Sequence, residues 1–118
     1  KISQVRAEGF EVLTDMTPLN YGIGQMAGIL PEWLTSLPGQ QMKDALMDPE
    51  IRTRLRHDCD RYWRFIAGGE WERVRMQNNN AFPEINGMTF PEISHLWNKE
   101  PCDCYFDILA AVAPDIDR

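Results

Sequence analysis

Apolar positions recur along this chain in two rhythms, one helical and one of short runs. Between Pro49 and about Ala67 the side chains Ile51, Leu55, Cys59, Tyr62 and Ile66 return every three or four residues. Trp63 and Phe65 widen the stripe, and the spacing predicts an amphipathic helix. Asp48-Pro49 supplies its entry, since Asp caps a helix N-terminus and Pro is tolerated at the first helical position; Gly68-Gly69 supplies its stop. The other side of the helix carries Glu50/Arg54, Arg54/Asp58, Arg56/Asp60 and Asp60/Arg64 at i,i+4. Each such pair contributes about 0.2–0.5 kcal/mol in an isolated helix. Met42, Ala45 and Leu46 predict a shorter helix over 40–47. Phe90, Ile93, Leu96 and Trp97 form the buried stripe of another, entered through a capping box in which Thr89 stands three residues before Glu92. A last helix begins near Pro101, buries Tyr105, Ile108, Leu109 and Val112, and is closed by Pro114.

The second rhythm is weaker. Val5-Arg6-Ala7-Glu8 reads as a last helical turn, Gly9 as its left-handed cap, and Phe10 to Thr14 as a short apolar strand. "EWERVRMQ" alternates Val74 and Met76 with Arg73 and Arg75, which predicts a half-buried strand before the loop "NNNAFPEIN". "MTPLNYGIG" is turn-forming, and "MAGILPEWLTSLPG", with Trp33, Leu34 and Leu37, reads as a buried, partly helical connector. The expected fold is mainly α (α+β), a small helical domain with one or two short strands spanning 1–118.

Charge narrows the functional classes. Eighteen acidic against twelve basic side chains leave a formal charge of −6, which disfavours phosphate backbones and anionic lipid surfaces. No apolar run approaches the roughly 20 residues that span a bilayer, and no signal-peptide pattern precedes Phe10. The three cysteines, Cys59, Cys102 and Cys104, cannot all pair within the chain and read as reduced thiols. A cytoplasmic protein that binds neither nucleic acid nor membrane is the expectation.

Candidate chemistry is sparse. His57-Asp-Cys59, Cys102-Asp-Cys104 and His95 have the right side chains for zinc, but residues two apart on a helix point about 200° apart, so neither pair clamps one ion. No metal site is predicted within the chain, and Cys59 reads as a small core residue. Gly22, Gly24 and Gly28 lack the strand-to-glycine register of a dinucleotide loop and read as turn glycines. His57 falls on a charged helix side and His95 beside an apolar stripe, with no nucleophile–base pairing evident. "RVRMQNNN" reads as a solvated edge and amide-rich loop, with an acid-binding role as the alternative. Asp15 is the exception. It closes a predicted strand that follows a helix and a glycine, the place where (β/α) barrels gather functional side chains; capping the Thr17-Pro18 turn explains it equally well.

Taken in order, these segments resemble the N-acyl-D-amino-acid deacylase (D-aminoacylase) branch of the amidohydrolase superfamily. The resemblance rests on Arg6-Ala7-Glu8-Gly9, Asp15-Met16-Thr17-Pro18-Leu19, Leu30-Pro31-Glu32-Trp33 and Asp48-Pro49-Glu50-Ile51-Arg52. It continues through Gly87-Met88-Thr89-Phe90-Pro91-Glu92 and Asp107-Ile108-Leu109. Thr17 and Leu19 replace both tyrosines of the family's Tyr-Pro-Tyr turn, and neither His-x-His nor Ser-Asp-Gly occurs. The resemblance implies an excised segment of a metal-dependent (β/α)8-barrel enzyme. Residues 1–20 would be a barrel-derived helix end, strand and turn, and 21–118 a helical insertion. It further implies a zinc-dependent parent that hydrolyses the amide of N-acyl-D-amino acids. The segment would be a wall or lid of the pocket, with no catalytic residue of its own, Asp15 as a substrate-binding candidate, and the remainder of the barrel as its partner. Two other classes compete: a non-catalytic helical interaction module, favoured by four tryptophans, and a small metalloprotein built on the Cys/His cluster.

Overall fold

A computed structural model describes residues 2–11, 26–58 and 69–115. Among them the chain is mainly helical. Helix α1 spans Ile2–Ala7, α2 Glu32–Thr35, α3 Gly39–Met47, α4 Pro49–Asp58, α5 Phe90–Trp97 and α6 Pro101–Val112. Short 3₁₀ turns at Met26–Ile29, Trp71–Arg73, Pro83–Ile85 and Ala113–Asp115 join or close them.

The helix boundaries follow local chemistry. Gly9 takes φ +90° after α1, the left-handed conformation that the cap needs and that glycine adopts without a Cβ penalty. At the α3–α4 junction the Asp48 carboxylate accepts the Glu50 N–H at 2.8 Å, satisfying a free donor of the first turn, while Pro49 sits where no N–H is required. The Glu92 carboxylate closes the entry of α5 by accepting the Thr89 N–H at 2.6 Å and the Thr89 hydroxyl at 3.0 Å. Those bonds hold the Glu92 carboxyl below its ordinary pKa, the backbone bond contributing most. Asn98, at φ +51°, ends α5 by turning the Lys99 N–H back to the Ser94 carbonyl at 3.1 Å.

Helix α6 is the centre of the packing. It lies against α3 on one side and α5 on another, while α3 also packs on α4 and on the Ala113–Asp115 turn. Leu34, Leu46, Leu55, Ile85, Ile93, Phe106 and Ile108 have no exposed surface, and Phe90 has 1%. Each of these large side chains contributes about 1.5–3 kcal/mol by leaving water. Trp71, Phe90, Tyr105 and Phe106 form a chain of tilted ring contacts with centroids 5.1 to 6.3 Å apart. The Tyr105 hydroxyl donates to the Met26 carbonyl at 2.6 Å, tying the connector to α6.

Several expectations change. The predicted strand over "EWERVRMQ" is replaced by the Trp71–Arg73 turn and one isolated antiparallel bridge, Arg75 with Thr89. The alternation is real, with Met76 buried and Arg75 exposed, but the pairing partner turns into α5 at Phe90 before a ladder can extend. Among the described residues no strand forms, and the strand expected over "EWERVRMQ" reduces to that bridge. Phe10 and Glu11, at the start of the other predicted strand, lie in irregular backbone, and Phe10 is 63% exposed; Val12 to Thr14 lie outside the described residues. Leu96, expected in the core, is 52% exposed, because α5 meets α6 through Phe90 and Ile93. The predicted helix over 49–67 is present from Pro49 to Asp58, with Leu55 buried and Ile51 half-buried; Cys59 to Gly68, including Tyr62, Trp63, Phe65 and Ile66, fall outside the description.

Candidate functional site: a charged groove between three helices

The chemistry-bearing side chains that come together do so where α3 ends, α4 begins and α6 begins. Arg52, on the second turn of α4, has a side chain only 12% exposed. Its Nε donates to the Leu46 carbonyl at 2.6 Å, in the last turn of α3, where the helix dipole is negative. Its Nη1 and Nη2 donate to Asp103 at 3.1 Å and Asp107 at 2.5 Å, and the guanidinium lies 5.5 Å from the centre of the Phe106 ring. Arg56 also donates to Asp103, at 3.0 Å, and Lys99 to Asp107, at 2.5 Å. Met47, Pro49, Thr53 and Glu100 complete a groove of about 560 Å³.

The electrostatics follow from this geometry. Burial is the largest single influence on Asp107 and pushes its carboxyl up, but hydrogen bonds and charge from Lys99 and Arg52 together outweigh it and leave the pKa below the ordinary value. Burial pushes the Cys102 thiol up against the lowering influence of Arg56. It raises Cys104 too, with help from the Asp107 charge. Raised thiols stay protonated, which suits packing and opposes a nucleophilic role.

Three cations, Arg52, Arg56 and Lys99, meet three carboxylates, Asp103, Asp107 and Glu100, so the groove is charge-balanced. A balanced network bonded chiefly to itself is built to fasten elements: here it locks α4 and the end of α3 onto α6. Arg52 and Asp107 are its most buried members, and because each Asp has two cationic partners the loss of one cation is only partly compensated, while the intact set holds one register between the helices.

The residues singled out from the sequence are placed differently. Asp15, the substrate-binding candidate, lies outside the described residues, as do Gly22, Gly24 and Cys59. His57 and His95 are exposed on α4 and α5, while Cys102 and Cys104 lie on α6, Cys104 buried. Among the described residues no group of three or more His, Cys, Asp or Glu side chains is placed to hold a metal ion. Of the expected i,i+4 pairs, Arg54–Asp58 forms at 3.1 Å. Arg54 also lies 4.2 Å above the Trp33 ring, and Arg56, expected beside Asp60, reaches across to Asp103. No described helix is long and apolar enough to cross a membrane.

The Arg52 cluster escaped the sequence reading, although a signal for it exists. Arg52 and Arg56 are a like-charge i,i+4 pair on α4, and Asp103 and Asp107 are one of opposite sign on α6. Like charges at that spacing destabilise an isolated helix, so two such pairs of opposite sign predict each other across an interface.

In comparisons with known proteins, no family model, curated protein or solved structure matches the chain.

Proposed function

We propose that the chain is a helical wall or lid segment of a zinc-dependent amidohydrolase resembling N-acyl-D-amino-acid deacylases, a (β/α)8-barrel enzyme of the cytoplasm. In that reading the zinc and the proton-transfer groups belong to the remainder of the barrel, and the segment shapes the pocket that receives the N-acyl amino acid. No catalytic step is assigned to its own residues.

The observation that carries this reading is the contact of Arg52 with Asp107. These residues end "Asp-Pro-x-x-Arg" and begin "Asp-x-Leu", two of the motifs behind the resemblance, and they meet at 2.5 Å although 55 positions separate them. Thr89 and Glu92, from a third motif, cap α5, and Asp48 caps α4. The shared positions therefore serve to hold a helical unit together, as expected where such a unit is kept for its shape and its chemistry is done elsewhere. Phe10, 63% exposed just after the glycine-capped α1, offers an apolar side chain for a barrel to cover.

The test is hydrolysis of N-acetyl-D-amino acids, assayed with added zinc and after chelation. We expect turnover from a longer polypeptide that contains this segment within a complete barrel, and none from the 118-residue chain. Chelator-sensitive, zinc-restored turnover by the 118-residue chain would overturn the reading, as would an inactive longer polypeptide that binds zinc and is folded.

A further inference from the structure

We propose that Asn86 is a deamidation site guarded by the fold, and that its conversion loosens the loop between Met76 and α5. Asn86-Gly87 is the one Asn-Gly pair in the chain, and a following glycine leaves the backbone nitrogen unhindered for attack on the side chain. In that reaction the Gly87 nitrogen loses its proton to water and bonds to Asn86 Cγ. The Cγ–Nδ2 bond breaks, ammonia departs, and a succinimide remains. Water then opens the ring at Cγ to give aspartate, or at the main-chain carbonyl to give isoaspartate. One water enters, one ammonia leaves, and no oxidant or reductant is needed.

The folded loop restrains every atom involved. The Gly87 N–H donates to the Met76 carbonyl at 2.9 Å, which holds the attacking nitrogen on the bridge to the 74–76 segment. The Gly87 carbonyl accepts a hydrogen bond from Arg75. The Asn86 carboxamide is held at both ends: Oδ1 accepts the Asn79 N–H at 2.7 Å, and Nδ2, the leaving group, donates to the Asn79 carbonyl at 3.1 Å. Asn79 is itself buried, with its Oδ1 accepting the Phe82 N–H at 2.8 Å. Cyclisation requires Asn86 ψ to leave its present 130° so that the nitrogen can swing onto Cγ, and that rotation breaks the Gly87–Met76 bond. Asn86 is exposed, so water for the second step is at hand and the first step is what the fold controls. The reaction therefore proceeds from the open loop, at a rate set by how often it opens.

Conversion has a structural consequence. Aspartate at 86 has no N–H for the Asn79 carbonyl and sets a carboxylate oxygen against it; isoaspartate adds a backbone carbon between residue 86 and Gly87, directly ahead of the Gly87–Met76 bond. Either product weakens the closure of the loop.

The experiment incubates the 118-residue chain at mildly alkaline pH and follows deamidation at Asn86 by peptide mass spectrometry. We expect the chain unfolded in guanidinium to react much faster than the folded chain. Asn79→Ala, which removes the side-chain bond to Phe82, should react about 5–30-fold faster than the parent in native buffer, the range that the loss of one or two such interactions gives in an open population. Across denaturant concentrations below the unfolding midpoint, deamidation and hydrogen exchange of the Gly87 amide should rise in parallel, a measurement that requires no variant. Equal rates in folded and unfolded chains, or deamidation that ignores Gly87 exchange, would overturn the guarding role. Asn86→Asp should speed exchange of the Gly87 and Met88 amides several-fold; unchanged exchange in that variant would overturn the loosening.

Discussion

Replacing Arg52 with Met keeps the length and most of the apolar contact of the side chain while removing its charge and all of its donors. Three hydrogen bonds are lost, to the Leu46 carbonyl and to the two carboxylates. A bond to a charged partner contributes about 1.5–3 kcal/mol, and breaking a fully buried pair costs about 3–5 kcal/mol. The full sum does not apply here, because Asp103 keeps Arg56, Asp107 keeps Lys99, and the two carboxylate side chains remain 31% and 18% exposed. Working from the lower figures, Arg52→Met should destabilise the chain by about 2–4 kcal/mol. Urea unfolding followed by circular dichroism gives the value, and the midpoint should fall while the slope stays constant. The cycle with Asp107→Asn should show coupling above about 0.5 kcal/mol, since the two residues touch. A loss within about 0.5 kcal/mol would refute the reasoning, for it would mean that the cluster behaves as an exposed surface network.

The remaining predictions test the same packing from other sides. Asp107 has a folded pKa below its unfolded value, so its contribution is fully present above about pH 4 and is lost as the pH falls through the native value. Arg52→Met should make stability less steep over that acid range in pH-dependent urea titrations, and an unchanged slope would argue against the pairing. Leu55→Ala should cost about 2–5 kcal/mol because the side chain has no exposed surface, whereas Leu96→Ala, at 52% exposed, should change stability by less than about 0.5 kcal/mol. Equal costs in thermal melts would mean that α4 and α5 present other faces to the core. Thr89→Ala at the α5 entry should cost about 0.5–2 kcal/mol, and an unaltered melting temperature would show that the helix does not depend on this cap.

Local signals in the sequence determined where the helices begin and end. Asp48-Pro49, Thr89 with Glu92, Pro101 and Gly9 act within one turn of themselves, through caps, a missing N–H or a positive φ, and each boundary stands in the structure where the residues place it. The stripes of α3 and α4 were legible for the same reason, since Met42, Leu46 and Leu55 answer only to helical periodicity. What could not be read locally was how many sides of a helix would be covered. Tyr105, Ile108 and Leu109 describe one face of α6, yet Phe106 and Ala110 are buried as well, because α3 and α5 occupy two sides of it. Leu96 failed in the opposite sense: periodicity places it on the apolar stripe, but α5 buries Phe90 and Ile93 and leaves Leu96 in water. The strand over "EWERVRMQ" had the right alternation but no partner long enough to form a ladder, which depends on chain 14 residues away. Arg56 shows the limit most clearly. The i,i+4 spacing offered it Asp60, which lies outside the described residues, while the docking of α6 brings Asp103 to 3.0 Å, beside the Arg52–Asp107 pair that joins positions 55 apart in the chain. Helix propensity and capping are properties of neighbours in sequence; the choice among competing ion partners belongs to neighbours in space, and only the packed helices decide it.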